Sequence, residues 1–224
     1  MTDQIFDIAA DPGRPAVVVD GAPGAMLIII SGPSGVGKDT IIDALRRREA
    51  HTRADGDRYY VVTCTTRAPR NGEVDGVNYH FMTRDGFLDM RAERGFLEAN
   101  EVHGNWYGSP RGPVRDALVA GRDVILKIDV QGAQVVKEQV SEALLIFIIP
   151  PTLETLFDRL KSRATETADE LEVRQRDAAI ELARQDDYDH IVTNETGEVE
   201  RTADEIEAII AGEHARHPDR RVRI

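Results

Sequence analysis

A chain of 224 residues with 41% hydrophobic content is long enough for one well-packed domain and short for two independent cores. Its formal net charge of −12 argues against the basic footprint of a protein that coats nucleic acid, although a locally positive cleft can still hold phosphates. The apolar runs are too short to span a bilayer, the N-terminus lacks a basic-then-apolar leader, and the single cysteine, Cys64, has no internal partner for a disulfide; the expectation is a cytoplasmic protein without a membrane partner.

In chain order, residues 1–25 mix Asp, Pro, Gly and Ala without a sustained period and read as a flexible N-terminal extension. The run 27–30 reads as a first strand and 41–50 as a helix, whose Arg46-Arg47-Arg48 cluster is expected on a solvated face. A turn near 55–57 leads to a strand at 59–63. Residues 63–111 are polar, aromatic and glycine-rich, with few apolar runs, and suggest a small substrate-facing subdomain at about 60–111.

After Gly112-Pro113 a helix runs through Ala120, Gly121 stops it, and 124–128 form the next strand. A helix from about Ala133, a buried strand at 144–149 and the turn Pro150-Pro151 follow. Thr152 then caps a helix carrying Arg159 and Arg163. Residues 162–184 are strongly charged with little core signal, which suits a lid (about 152–185) better than a core helix. A strand at 190–193 and a helix at 200–210 close a domain spanning 26–212, and the Arg-rich tail 213–224 is expected to fray. Alternating strands and helices predict an α/β fold with a mostly parallel sheet flanked by helices.

The chemistry starts at Gly32-Pro33-Ser34-Gly35-Val36-Gly37-Lys38-Asp39-Thr40, placed between a predicted strand and a predicted helix. Loop N–H groups and a helix N-terminus make a phosphate site there, and Lys38 reaches the outer phosphates as a point charge. The usual pattern has Ser or Thr directly after the Lys, whereas Asp39 stands here and the hydroxyl comes at Thr40. Asp39 admits two accounts: a direct or water-mediated Mg²⁺ ligand, or a first-turn acid stabilised by the helix dipole with Thr40 serving a phosphate. The second is preferred, because a carboxylate beside phosphates repels them unless a metal intervenes. A GTPase would carry an Asn-Lys-x-Asp segment, which is absent, and motors and helicases need a larger domain.

A second constellation follows at Thr63 to Arg70, Asn78-Tyr79, Glu98 and Asn105 to Ser109. Arg67 and Arg70 can clamp a second phosphate with forked, charge-assisted bonds, Tyr79 and Tyr107 can donate hydroxyls to it, and a buried Glu98 can accept two N–H bonds from a guanine edge, with Thr63 and Ser109 beside it. Taken singly, each of these residues has an ordinary structural explanation.

Together, in this order, and with Ile128-Asp129-Val130-Gln131-Gly132, they resemble the guanylate kinase family over about 26–210. The resemblance implies a P-loop nucleoside monophosphate kinase fold with GMP-binding and lid subdomains, and transfer of a phosphoryl group from ATP to GMP or dGMP with Mg²⁺. It implies GMP binding by Thr63, Arg67, Arg70, Tyr79, Glu98, Tyr107, Ser109 and Asp129. ATP would lie on the 32–40 loop with Arg159, Asn194 and Glu195. Lys38, Arg70, Arg163 and Arg174 would serve the transferring group, and Asp39 and Asp129 would serve the metal.

The chain departs from the family pattern at Lys127, where an Asp is common, at Thr63, where Ser is commoner, and at Ala164, where Gly is frequent. Asp129 also reads as a helix cap, and Arg174 as a partner of Glu170 or Glu172. The competing readings are a sugar-phosphate kinase, which has no use for a guanine-edge acid, and a non-catalytic kinase-like interaction module, expected to have lost the loop and lid arginines. ATP and GMP or dGMP are the expected partners, with monomer and homodimer both open.

Overall fold

In the computed structural model the described residues are 19–52, 58–102, 104–162 and 168–224. The central sheet is five-stranded and parallel, in the order β2 (Arg58–Tyr60), β7 (Asp123–Lys127), β1 (Leu27–Ser31), β8 (Leu144–Ile149), β9 (His190–Thr193). Every residue of β1 is buried. A continuous apolar run is what a strand needs when helices cover both sheet faces. Ile28 and Ile30 pack on one side with Ile41, Leu45, Ile206 and Ile210, whereas Leu27 and Ile29 pack on the other with Val114, Leu118, Ala133 and Val136. The first group brings α1 (Lys38–Thr52) and α7 (Val199–Arg216) against the sheet, the second α3 (Arg111–Val119) and α4 (Val130–Gln139).

A second sheet, in the order β4 (His80–Phe81), β3 (Cys64–Thr65), β6 (Asn105–Pro110), β5 (Phe96–Val102), stands apart from the first. Its β5–β6 hairpin is antiparallel. One face packs Cys64, Phe96, Ala99 and Trp106 on Phe87 of α2 (Arg84–Ala92), with the Phe87 and Phe96 rings stacked at 4.4 Å. Strand alternation sends Glu98, Asn100, Tyr107 and Ser109 to the opposite face. The remaining helices are α5 (Leu153–Ser162) and α6 (Ala168–Leu182).

Three expectations need correcting. The single strand expected at 59–63 is divided: Val61 still bonds to Ile125 O, but Thr63 O accepts from His80 N–H, so the chain leaves one sheet and enters the other within these residues. The tail does not fray. Val19 and Ile224 exchange backbone hydrogen bonds, Gly21 N–H donates to Val222 O, and Val222 is fully buried, because the apolar residues among the tail arginines fill the face under α3. Nor is the arginine cluster merely solvated. Arg48 pairs with Glu200 and Asp204 of α7, while Arg46 lies over the Tyr60 ring.

Candidate active site

The glycine-rich loop leaves the C-terminal end of β1, the central strand, which is where open parallel sheets place their ligands. Gly32 has φ 140°, and a Cβ there would collide with Ile148 O; at Gly37 (φ 100°) it would lie 2.5 Å from Asn194 Nδ2. Both positions require glycine. Lys38 opens α1 and curls back, Nζ donating to Gly32 O (2.5 Å) and Pro33 O (3.1 Å). Burial pulls its pKa below the usual lysine range, with Glu181 and Asp39 partly offsetting.

The loop is braced from behind. Asn194 is buried, its Nδ2 donating to Val36 O (2.7 Å) and its Oδ1 accepting from Thr202 Oγ1 (3.2 Å). Arg159 donates to Val36 O (3.2 Å), Asn194 O (3.1 Å) and Thr196 Oγ1 (2.9 Å). The side chains expected on the adenine side thus include one, Asn194, whose amide is committed to the loop itself; Glu195 beside it is half-buried. From α6, Arg174 Nη2 donates to Ser34 Oγ (3.1 Å), and Glu181 Oε2 accepts from Ser34 N–H (3.2 Å). Arg174 therefore reaches the loop. Arg163, with 164–167, lies outside the described residues.

On the second sheet, Glu98 is 5% exposed; Ser109 Oγ donates to its Oε1 (2.6 Å) and Asn100 Nδ2 to its Oε2 (3.1 Å). Gly132 lets α4 come close, since a Cβ there would sit 3.1 Å from Oε2. Burial pushes the Glu98 carboxyl up to about 7; Ser109 opposes this and the Asp129 charge reinforces it. Tyr107 and Tyr79 meet edge to face at 6.1 Å, and the Arg67 guanidinium stands 5.4 Å from the Tyr79 ring centre. Arg67 Nη2 donates to Glu73 Oε1 (2.8 Å), and Glu73 Oε2 accepts from Arg70 N–H (2.6 Å). Arg70, Tyr79, Thr63, Glu73, Asp39 and Lys127 line one cleft of about 250 Å³ between α1 and this sheet.

Asp39 lies in the first turn of α1 and is ion-paired with Lys127 Nζ at the end of β7. Lys127 thus faces the site. Burial opposes its charge, but Asp39 and Tyr79 together outweigh that and hold the ammonium above its ordinary range. Thr40 is exposed on the same turn. Asp129 takes the cap role, Oδ1 accepting from Gly132 N–H at 2.7 Å as the N-cap of α4, and its charge still reaches Lys38 and Glu98.

Glu73, Asn100 and Glu181 were not singled out from the sequence. Glu73 had a signal, being the one carboxylate in the turn directly after Arg70. Asn100 had another, two positions from Glu98 on a strand. Glu181 is one acid among many on a charged helix and had none.

The guanylate kinase family model matches residues 24–213. A guanylate kinase of Lactobacillus delbrueckii subsp. bulgaricus is 44% identical over 189 residues, covering 84% of this chain and 89% of the relative. The guanylate kinase of Bacillus subtilis matches at the same identity and coverage. The crystal structure of guanylate kinase from Anaplasma phagocytophilum superposes with a TM-score of 0.66 at 30% identity, over 84% of this chain and 86% of that one. No helix among the described residues is long and apolar enough to cross a membrane. With the loop, the polar sheet face and these matches in agreement, the chain belongs to the guanylate kinase family.

Proposed function

We propose that the chain transfers the γ-phosphoryl group of ATP to GMP or dGMP, with the donor on the 32–40 loop and the acceptor in the cleft under the second sheet. The observation that carries this reading is Glu98, a buried carboxylate already holding two side-chain donors on one face of that sheet. A guanine edge offers two adjacent N–H donors to such an acceptor, whereas adenine would leave it poorly matched. Ser109 lies beside it, and Thr63 lines the cleft. Arg67, Arg70, Tyr79 and Tyr107 would take the acceptor phosphate.

Phosphoryl transfer asks the protein for placement and charge neutralisation rather than a covalent partner, so buried Cys64 is assigned no role. Lys38 would turn from the loop carbonyls to the donor phosphates. Arg174, already at Ser34, and Arg163 would close over the transferring group and exclude water. Arg159, Asn194 and Glu195 would serve the donor side, the first two by fixing the loop backbone.

The donor set fits Mg²⁺ held mainly by phosphates. Among the described residues no cluster of three or more His, Cys, Asp or Glu could cage a metal, and Mg²⁺ with ATP needs only one or two carboxylates: Asp129 would serve directly or through water, and Asp39 only once its ion pair with Lys127 opens. When bound it would neutralise charge on the β- and γ-oxygens. ATP and GMP as substrates are consistent with a cytoplasmic enzyme, and monomer and homodimer are both compatible with this reading.

The test is ADP release with ATP plus GMP, compared with AMP, CMP, UMP and no acceptor. GMP-dependent turnover is expected. Its absence sinks the kinase reading, and equal rates with AMP remove Glu98 as the discriminator.

A further inference from the structure

Lys127 is an unusual end for a strand whose middle residues Val124, Ile125 and Leu126 are all buried. It pairs in register with Ile30 on β1, so it emerges beside the residue pair that opens the glycine-rich loop. Its side chain is 22% exposed and lines the acceptor cleft. Nζ stands 5.3 Å from the Tyr79 ring centre, and Arg67 stands over the same ring at 5.4 Å. Arg46 and Arg70 line the cleft as well. Four cations in and beside one small cleft repel one another. Such an arrangement is stabilised by anions among them, and here these are Glu73 beside Arg67, Asp39 beside Lys127, and Asp43 on the cleft wall. Lys127 also lies near enough to Lys38 for its charge to act on that group, so it neighbours the donor lysine as well as the acceptor cleft.

Resting on the kinase reading above, we propose that Lys127 is a binding residue for the acceptor's phosphate: Asp39 holds its ammonium in place, and the phosphate of a nucleoside monophosphate takes over as its partner on binding. Asp39 suits the exchange. Its side chain is 65% exposed, so water can solvate the carboxylate once Lys127 turns to the phosphate. A buried partner could not release the cation so readily.

Equilibrium binding without ATP or metal tests this. Lys127→Met keeps the stem and removes the charge. Its affinity for GMP is expected to fall about 10- to 100-fold, while affinity for guanosine stays within about two-fold of the parent. Equal losses on GMP and guanosine, or no loss on GMP, overturn the proposal. Lys127→Arg should retain most GMP affinity.

The exchange Asp39→Lys with Lys127→Asp separates a contact from a clamp. It restores an ion pair but puts a carboxylate on the acceptor side, so GMP binding should stay weak; full recovery would show that the pair only fastens α1 to β7. If the parent protein shows no GMP-dependent ADP release, the kinase reading fails. If it does and Lys127→Met binds GMP normally, only the role of Lys127 fails.

Discussion

The donor loop and the acceptor face solve the same problem, holding phosphate-binding groups ready, by opposite means. Around the loop the supports are backbone geometry and side chains bonded to backbone carbonyls: two glycines that admit no side chain, buried Asn194 under Val36, and the half-buried Arg159 guanidinium across the back. On the acceptor side the supports are carboxylates on cations, with Glu73 on Arg67 and Asp39 on Lys127. A strut that holds a backbone carbonyl stays put when an anionic ligand arrives, whereas a carboxylate on a binding cation competes with it. The donor site is therefore built as a fixed mould and the acceptor cleft as a set of exchangeable ion pairs.

The largest effect should come from the mould's own cation. Lys38→Met keeps the glycines and Asn194 that shape the loop and removes the charge that serves the donor phosphates, so kcat should fall about 10³-fold with KM for GMP within about three-fold. Steady-state kinetics check it. A matching rise in KM for GMP would mean that the two halves are not separable as described.

Glu98→Gln comes next. Replacing the charged acceptor should lower kcat/KM for GMP about 10²-fold and leave ATP binding nearly unchanged. The same change reports on stability. The folded Glu98 carboxyl sits near 7 against an ordinary 4.5, so the folded state binds the extra proton between those values. Stability is full below about 4.5 and declines as pH rises through 7, by about 3 kcal/mol at most. Thermal melts at pH 5 and pH 8 should show the Gln variant gaining on the parent as pH rises. KM for GMP in the parent should fall over pH 6 to 8 as the carboxylate forms, with a flatter profile in the variant.

The same contrast explains what could be read without coordinates. A mould made by consecutive residues is written as one string, so the loop, its strand and its helix are legible together, as are the buried strand at 144–149 and the shorter edge strand at 190–193. The acceptor face is assembled from β3, the Tyr79 turn and the β5–β6 hairpin, whose strands are polar on one side and carry no continuous apolar run. Its residues were recognisable by type and order, but not its strands. The ion pairs were the least legible. Asp39 and Lys127 are 88 positions apart, and each stood out only as a misfit until the parallel register of β7 with β1 set them beside the same loop.

Glu73 sets a smaller test of the exchangeable pairs. It binds the Arg67 fork and also the Arg70 N–H, so it organises the turn as well as occupying a cation. Glu73→Ala should weaken GMP about five-fold, measured as KM with kcat unchanged, because losing the turn outweighs freeing Arg67.

Glu181 is where a carboxylate from outside the loop meets the mould, and it predicts the smallest effect with the opposite sign. Its carboxylate accepts from Ser34 N–H, a donor that the phosphates of ATP would use, and the nearby Lys38 favours it there. Burial nevertheless lifts its pKa above the usual glutamate range, which means that the site charges this group a desolvation cost that Lys38 does not fully offset. Unlike Asn194, it supports no loop carbonyl, and unlike Glu73, it organises no turn through a second hydrogen bond among the described residues. Glu181→Ala should therefore tighten ATP binding about three-fold by removing a competitor for the Ser34 N–H, with KM for GMP unchanged. Weaker ATP binding would make Glu181 a structural brace of the loop, and the division between a fixed mould and a cleft of exchangeable ion pairs would then fail on its donor side.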